Sequence, residues 1–261
     1  MNKYLRITGL ALHTFLSISL VVLAGQASLR LLFANPGAGT TAPVPLQVFG
    51  RELLPALIIA LISLAGSFSI ALKDTSRMVM ERRMLPLLFL THTLCFVKII
   101  PIYSLLVPVS IISFSTVAVL YQFALVFSAF LVFAIGLFQQ GSNMFKSGQL
   151  VFIGAFASLL LAALADVSAN SKEVIVSGAI ASSAVLMISA LLQMIAIGSF
   201  IVIFLKEKTR HNALRCGGFI LMILANMGIA VSIASGWKIL ALVCYAAGVL
   251  LVSPILQGER M

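Results

Sequence analysis

The chain has 261 residues, 61% of them hydrophobic and only 9% charged, with a mean hydropathy of +1.16. A water-soluble domain carries about a quarter charged residues, so the composition excludes one, and spans of roughly 20 residues each leave no length for a soluble domain beside them. The net charge of +10 is not a nucleic-acid signature, because the basic residues flank apolar runs, where they orient a membrane protein.

The first segment, MNKYLR followed by ITGLALHTFLSISLVVLAGQAS, has a basic start, an apolar run and small residues Gly25 and Ala27 spaced as at a signal-peptidase site. The apolar run is longer than a signal peptide needs and resumes from Leu29 to Phe33, so it reads as a first span over 9–33. A loop rich in Pro, Gly and Thr follows at 34–52. Further spans are expected at 53–72, 84–104, 111–138, 149–167, 174–205, 217–235 and 239–256, with Pro101 and Pro108 marking the exit of the third. The expected fold class is an all-α polytopic transmembrane helix bundle of eight spans, in one integral membrane domain over 1–261, because lipid offers backbone groups no partner outside a helix.

Basic residues orient it. With the N-terminus inside, Lys3, Arg6, Lys73, Arg77, Arg82, Arg83, Lys146, Lys206, Lys208, Arg210, Arg215 and Arg260 face the cytoplasm, and Arg30, Arg51, Lys98, Lys172 and Lys238 lie toward the outside. That imbalance places both termini in the cytoplasm. The short loops suit a bacterial plasma (inner) membrane.

Two phrases recur, GSFSIALKDTSR at 66–77 and GSFIVIFLKEKTR at 198–210. Lys73 and Lys206, Asp74 and Glu207, Ser76 and Thr209, Arg77 and Arg210, and Arg82 and Arg215 match at one offset, while Gly-Ser-Phe needs one inserted residue. They end the second and sixth spans, the pattern of a parallel four-plus-four repeat with halves 1–140 and 141–261. Positive-inside selection acting on spans of few residue types yields the same words without duplication. If the sixth span continues as helix beyond the bilayer, Lys206, Arg210 and Arg215 form a basic strip with Glu207 beside it. The basic segments 73–83 and 206–215 then contact anionic lipid headgroups, at about 1 kcal/mol per basic residue, or dock an acidic cytoplasmic protein.

Polar residues at membrane depth are the remaining signal, since a charge there costs at least about 2.5 kcal/mol. Lys98 and Asp166 come out at similar depth near the outer boundary of ascending spans and are expected to form an ion pair. His92, Gln122, Gln193 and Asn226 lie deeper and are neutral, fit either for interhelical hydrogen bonds or to line one ligand site. Small residues at Gly228, Ser232 and Gly236, and at Gly178 and Ser182, suit close helix approach.

Catalytic constellations are thin. There is no HExxH or CxxC; Cys95, Cys216 and Cys244 read as small apolar side chains, and Ser199 with His92 lacks the turn a nucleophile needs. His13 and His92 are within arithmetic reach of one haem, but lone histidines in helices are mostly hydrogen-bonded core residues. The sequence therefore reads as a non-enzymatic protein with no cofactor or metal, binding or moving a small neutral, zwitterionic or lipid-like molecule. The alternative is a sensor or assembly subunit that docks a cytoplasmic partner through its basic exits.

Overall fold

The computed structural model describes residues 3–33, 54–72, 81–106, 112–139, 147–165, 181–230 and 235–253. They form α1 (Lys3–Phe33), α2 (Leu54–Leu72), α3 (Glu81–Leu94), α4 (Ile99–Leu106), α5 (Phe114–Gln139), α6 (Ser147–Leu164), α7 (Ser183–Lys206), α8 (Arg210–Ala230) and α9 (Ser235–Val252), with no strand among the described residues. Among the described residues, six segments are long and apolar enough to cross a bilayer: Ile7–Leu29, Leu54–Ala71, Met84–Pro101, Phe114–Phe138, Ser183–Lys206 and Arg210–Ile229. Gly148–Leu164 and Trp237–Val252 are shorter apolar helices.

Several boundaries differ from the expected ones for identifiable reasons. Pro101 does not end the third rod: α3 passes through one 3-10 turn, Cys95–Lys98, into α4, and Pro101 sits in the first turn of α4. A missing N–H costs least in a first turn. The sixth span is helical from Ser183, where the Ser182 hydroxyl accepts the Val185 N–H at 3.3 Å, a cap that assigns Ser182 to the helix start rather than to close packing. The seventh starts at Arg210, not 217. Thr209 Oγ1 accepts the Asn212 N–H at 3.2 Å, and Asn212 Nδ2 donates to the carbonyls of Ile203 (3.3 Å) and Glu207 (3.1 Å). One asparagine thereby starts α8 and satisfies the carbonyl end of α7. The turn between them is only Glu207 to Thr209, so Lys206 and Arg210 stand on different helices and the expected continuous strip is broken. Helix α9, at the expected eighth span, covers Ser235–Val252 and so begins before the expected 239.

Pairwise contacts give each helix a sense. Ser63 meets Tyr245 and Gly66 meets Val249, so α2 and α9 are parallel. Gly66 also meets Phe89, while Tyr245 bridges Ser63 to His92, so α3 opposes α2. Cys95 packs with Ala118, Tyr121 and Ala124, and Ile100 with Val117, so α5 opposes α3. Leu125 pairs with Ser189 and Gly136 with Ser199, making α5 and α7 parallel. Between them α6 runs antiparallel to α5, with Gly154 against Phe130 and Leu161 near Leu125 and Val126. Phe200 stacks on Phe219 at 4.8 Å in the α7–α8 hairpin, and Gly218 and Gly228 meet Val252 and Ala241 in the antiparallel α8–α9 pair. His13 with Thr93 and Gln26 with Tyr103 make α1 parallel to the third rod.

These contacts close a ring, α2–α3–α5–α7–α8–α9 and back to α2. Its interior is filled by Leu88, Phe89, Leu131, Phe200, Phe219, Met222 and Tyr245. Helix α1 lies on α2, α3 and α4, and α6 lies on α5, each outside the ring. Phe15 on α1 and Phe152, Phe156 and Leu164 on α6 are exposed, as side chains that face lipid tails rather than water would be.

Candidate functional site

All four deep neutral residues belong to ring helices, and α5 serves as their common ruler. Asn226 Nδ2 on α8 donates to Ser128 Oγ at 3.3 Å, and Ser128 donates to the Leu125 carbonyl at 2.9 Å. Ser189 Oγ on α7 donates to that same carbonyl at 3.4 Å and accepts from Gln193 Nε2 at 3.5 Å. Gln193 and Asn226 thus join one network on α5. Cys95, one turn after His92, packs among Ala118, Tyr121 and Ala124, which bracket Gln122. His92 itself is turned away from this packing, toward Tyr245 of α9.

The four differ in how well they are satisfied. Gln122 is fully buried (0% exposed), and neither Oε1 nor Nε2 has a hydrogen-bond partner. His92 Nδ1 lies 3.0 Å from the Tyr245 hydroxyl, with the rings edge to face at 5.3 Å, while its Nε2 is buried without a partner. Gln193 and Asn226 have the partners just named. A buried amide with nothing on either end is uncommon and asks for a ligand, water or function.

A second polar cluster was not anticipated from the sequence. His13 Nδ1 is 2.9 Å from Ser67 Oγ and its Nε2 is 2.9 Å from Thr93 Oγ1, tying α1 to α2 and α3. Thr93 donates to the Phe89 carbonyl at 3.1 Å, so it accepts from His13 Nε2–H, leaving Nδ1 to accept from Ser67. Both ring nitrogens are engaged, which leaves no lone pair for haem iron. Ser63, Ser67, Thr93 and Tyr245 carried no signal, because hydroxyl residues are common in spans and usually bond their own helix.

Other expected features fall differently. Lys98 is buried in the 3-10 turn with its ammonium 5.8 Å from the Phe96 ring and 6.0 Å from the Tyr121 ring; its expected partner Asp166 lies outside the described residues. Lys73, Arg77 and the side chain of Arg82 also lie outside them. Lys206, Lys208, Arg210 and His211 are exposed around the α7–α8 turn, and Arg215 is half-buried. Ser199 packs on Gly136, and His92 is turned to Tyr245. Cys95 and Cys216 are buried, Cys244 is half-buried, and no group of three metal-ligating side chains occurs among the described residues.

Comparison with protein-family models, curated proteins and solved structures finds no match.

Proposed function

We propose that this is an eight-span integral membrane protein of a plasma membrane, with both ends cytoplasmic, whose helix ring binds a small neutral or zwitterionic molecule and passes it across the bilayer. His92, Gln122, Gln193 and Asn226 line the site. The observation that carries the reading is the Gln122 amide, buried among apolar neighbours with donor and acceptor both unmatched. Leaving such a group without a partner costs about 1–3 kcal/mol, a cost that a ligand removes.

The helix senses support the topology. Each successive rod reverses the one before it, α6 included, so eight crossings bring the chain back to its starting side. Within the ring, half a turn carries α2, α3 and α5 onto α7, α8 and α9 with the same senses, which favours the repeat, while α1 and α6 outside it are not interchanged, since α1 lies on α2, α3 and α4 and α6 on α5. Sites in transporters built from repeats lie where the halves meet, near the midplane. Here Ser63–Tyr245 crosses one such junction and Ser189 with the Leu125 carbonyl crosses the other.

The test is to purify the chain in lipid nanodiscs and identify bound small molecules by mass spectrometry. The wild type should carry a molecule that Gln122→Leu retains at less than a tenth of the level. Identical small-molecule content in the two would refute the reading.

The exposed cations at the α7–α8 turn favour a second reading, in which the basic exits dock anionic headgroups or an acidic cytoplasmic protein. Charge reversal at Lys206 and Arg210 should then abolish co-purification of that partner while membrane insertion is unchanged; retained co-purification would reject it.

A further inference from the structure

We infer that the α7–α8 hairpin seats one anionic phospholipid, its phosphate held by Lys206, Lys208 and Arg210 and an acyl chain laid along the outer face of α7. This rests on the second reading above, that the exposed cations dock a partner, and names that partner as a lipid rather than a protein.

Helix α7 presents a long apolar stripe away from the ring. Met194, Ile195, Ile201, Val202 and Leu205 are exposed, and their helical spacing keeps them on one face. Gly198 lies in the middle of that face with nothing within 4 Å of where a Cβ would be, so the stripe carries a notch. From Ile195 to Leu205 it runs about 15 Å at 1.5 Å per residue, the depth of one leaflet in a hydrocarbon core about 30 Å thick. It leads directly to Lys206, one turn beyond Val202 and the last residue of α7.

The charge stands at headgroup height. Lys206 ends α7, Lys208 is in the turn, and Arg210 and His211 open α8; all four are exposed. The turn is pinned by Asn212, which donates to the Ile203 and Glu207 carbonyls at 3.3 and 3.1 Å. Leu205 just before the turn and Leu214, one turn into α8, are exposed apolar side chains, so lipid-facing surface brackets the cations on both helices. Cations set that close to the hydrocarbon edge meet lipid phosphates first, and no stalk lifts them toward a protein in the cytosol. Arg210 offers a planar fork to two phosphate oxygens, while the lysines act as point charges. Three cations against the one Glu207 carboxylate leave an excess of two positive charges. A net-anionic headgroup offsets that excess, whereas a choline headgroup brings its own cation to the same place. Positive-inside selection accounts for the cations alone; the notch at Gly198 adds a seat for a chain.

The test reconstitutes the full chain in nanodiscs of equal phosphatidylglycerol and phosphatidylcholine and releases it for native mass spectrometry. The wild type should retain phosphatidylglycerol over phosphatidylcholine by about fivefold or more, the weight of roughly one basic residue at a membrane surface. Lys206→Gln, Lys208→Gln and Arg210→Gln together should erase that preference, and Lys208→Gln alone, outside both helices, should reduce it if the triple variant does not insert. Gly198→Phe leaves every charge in place and should weaken retention by filling the notch, which attraction to a diffuse basic surface would not do. Equal retention of the two lipids by the wild type, a preference that survives loss of the cations, or retention unchanged by Gly198→Phe overturns the inference. If an acidic protein co-purifies through Lys206 and Arg210 while no lipid preference exists, the partner class is wrong and the docking reading stands. With neither, both fall.

Discussion

His13 and Gln122 are both polar, both buried and both inside a membrane span, yet His13 has a hydroxyl on each ring nitrogen and Gln122 has nothing on either amide atom. On the proposed function, that contrast separates a structural residue from a ligand-binding one. His13→Leu loses two interhelical bonds, each on the order of 0.6 kcal/mol, and should lower stability by roughly 1 kcal/mol, read as a reduced Tm in nanodiscs with any bound ligand retained. Gln122→Leu removes an unsatisfied amide of similar volume, so it should raise the Tm of ligand-free protein, by about 1 kcal/mol or more of stability. A lower Tm would mean that the amide has a protein partner. The sequence made Gln122 and His92 visible because lipid makes such side chains rare. Ser63 and Tyr245 stayed invisible because nothing distinguishes them from the many hydroxyl residues of other spans.

At the scale of elements, a close backbone approach among the described residues lies at Gly218 and Gly248, which small-residue spacing did not single out. A Cβ on Gly248 would lie 2.7 Å from the Gly218 carbonyl oxygen and 3.0 Å from the Met222 backbone nitrogen, so α8 and α9 touch backbone to backbone. A Cβ on Gly228 would meet only the Ala241 Cβ, at 3.3 Å. Gly248→Ala should thus destabilise by about 1–3 kcal/mol and Gly228→Ala by much less, compared by thermal unfolding; similar values for the two would contradict the α8–α9 geometry. The α7–α8 turn escaped sequence reading for a different reason. KEKTRHNALR is polar enough to read as a loop, yet its second half is helix, because Asn212 folds back onto Ile203 and Glu207. Asn212→Ala should cost about 1–2 kcal/mol, visible as earlier proteolysis at the turn.

On the scale of the whole molecule, apolar run lengths and punctuation located the described helices to within six residues at either end, apart from the late start of α7 and the early start of α8. They did not reveal which helices are neighbours, since hydropathy records contact with lipid and says nothing of partner choice. The ring came from point contacts such as Gly66 with Phe89 and Val249. It requires α6, the helix most open to lipid, to cross the membrane. Reporters placed at 140–146 and at 166–182 should therefore report opposite sides, and one at the C-terminal end should agree with the first.

The most direct measurement is a disulfide cross-link in native membranes between Gly136→Cys and Ser199→Cys, on a background with Cys95, Cys216 and Cys244 replaced. A Cβ added at Gly136 would lie 3.1 Å from that of Ser199, a little inside the roughly 3.5–4.5 Å of a disulfide, so a small shift of either helix suffices. Parallel α5 and α7 around a common polar seam require rapid, near-complete oxidation of this pair. Failure to link, with both single variants inserted and each thiol open to a small maleimide, would place the two helices apart and remove the ring on which the proposed ligand site depends.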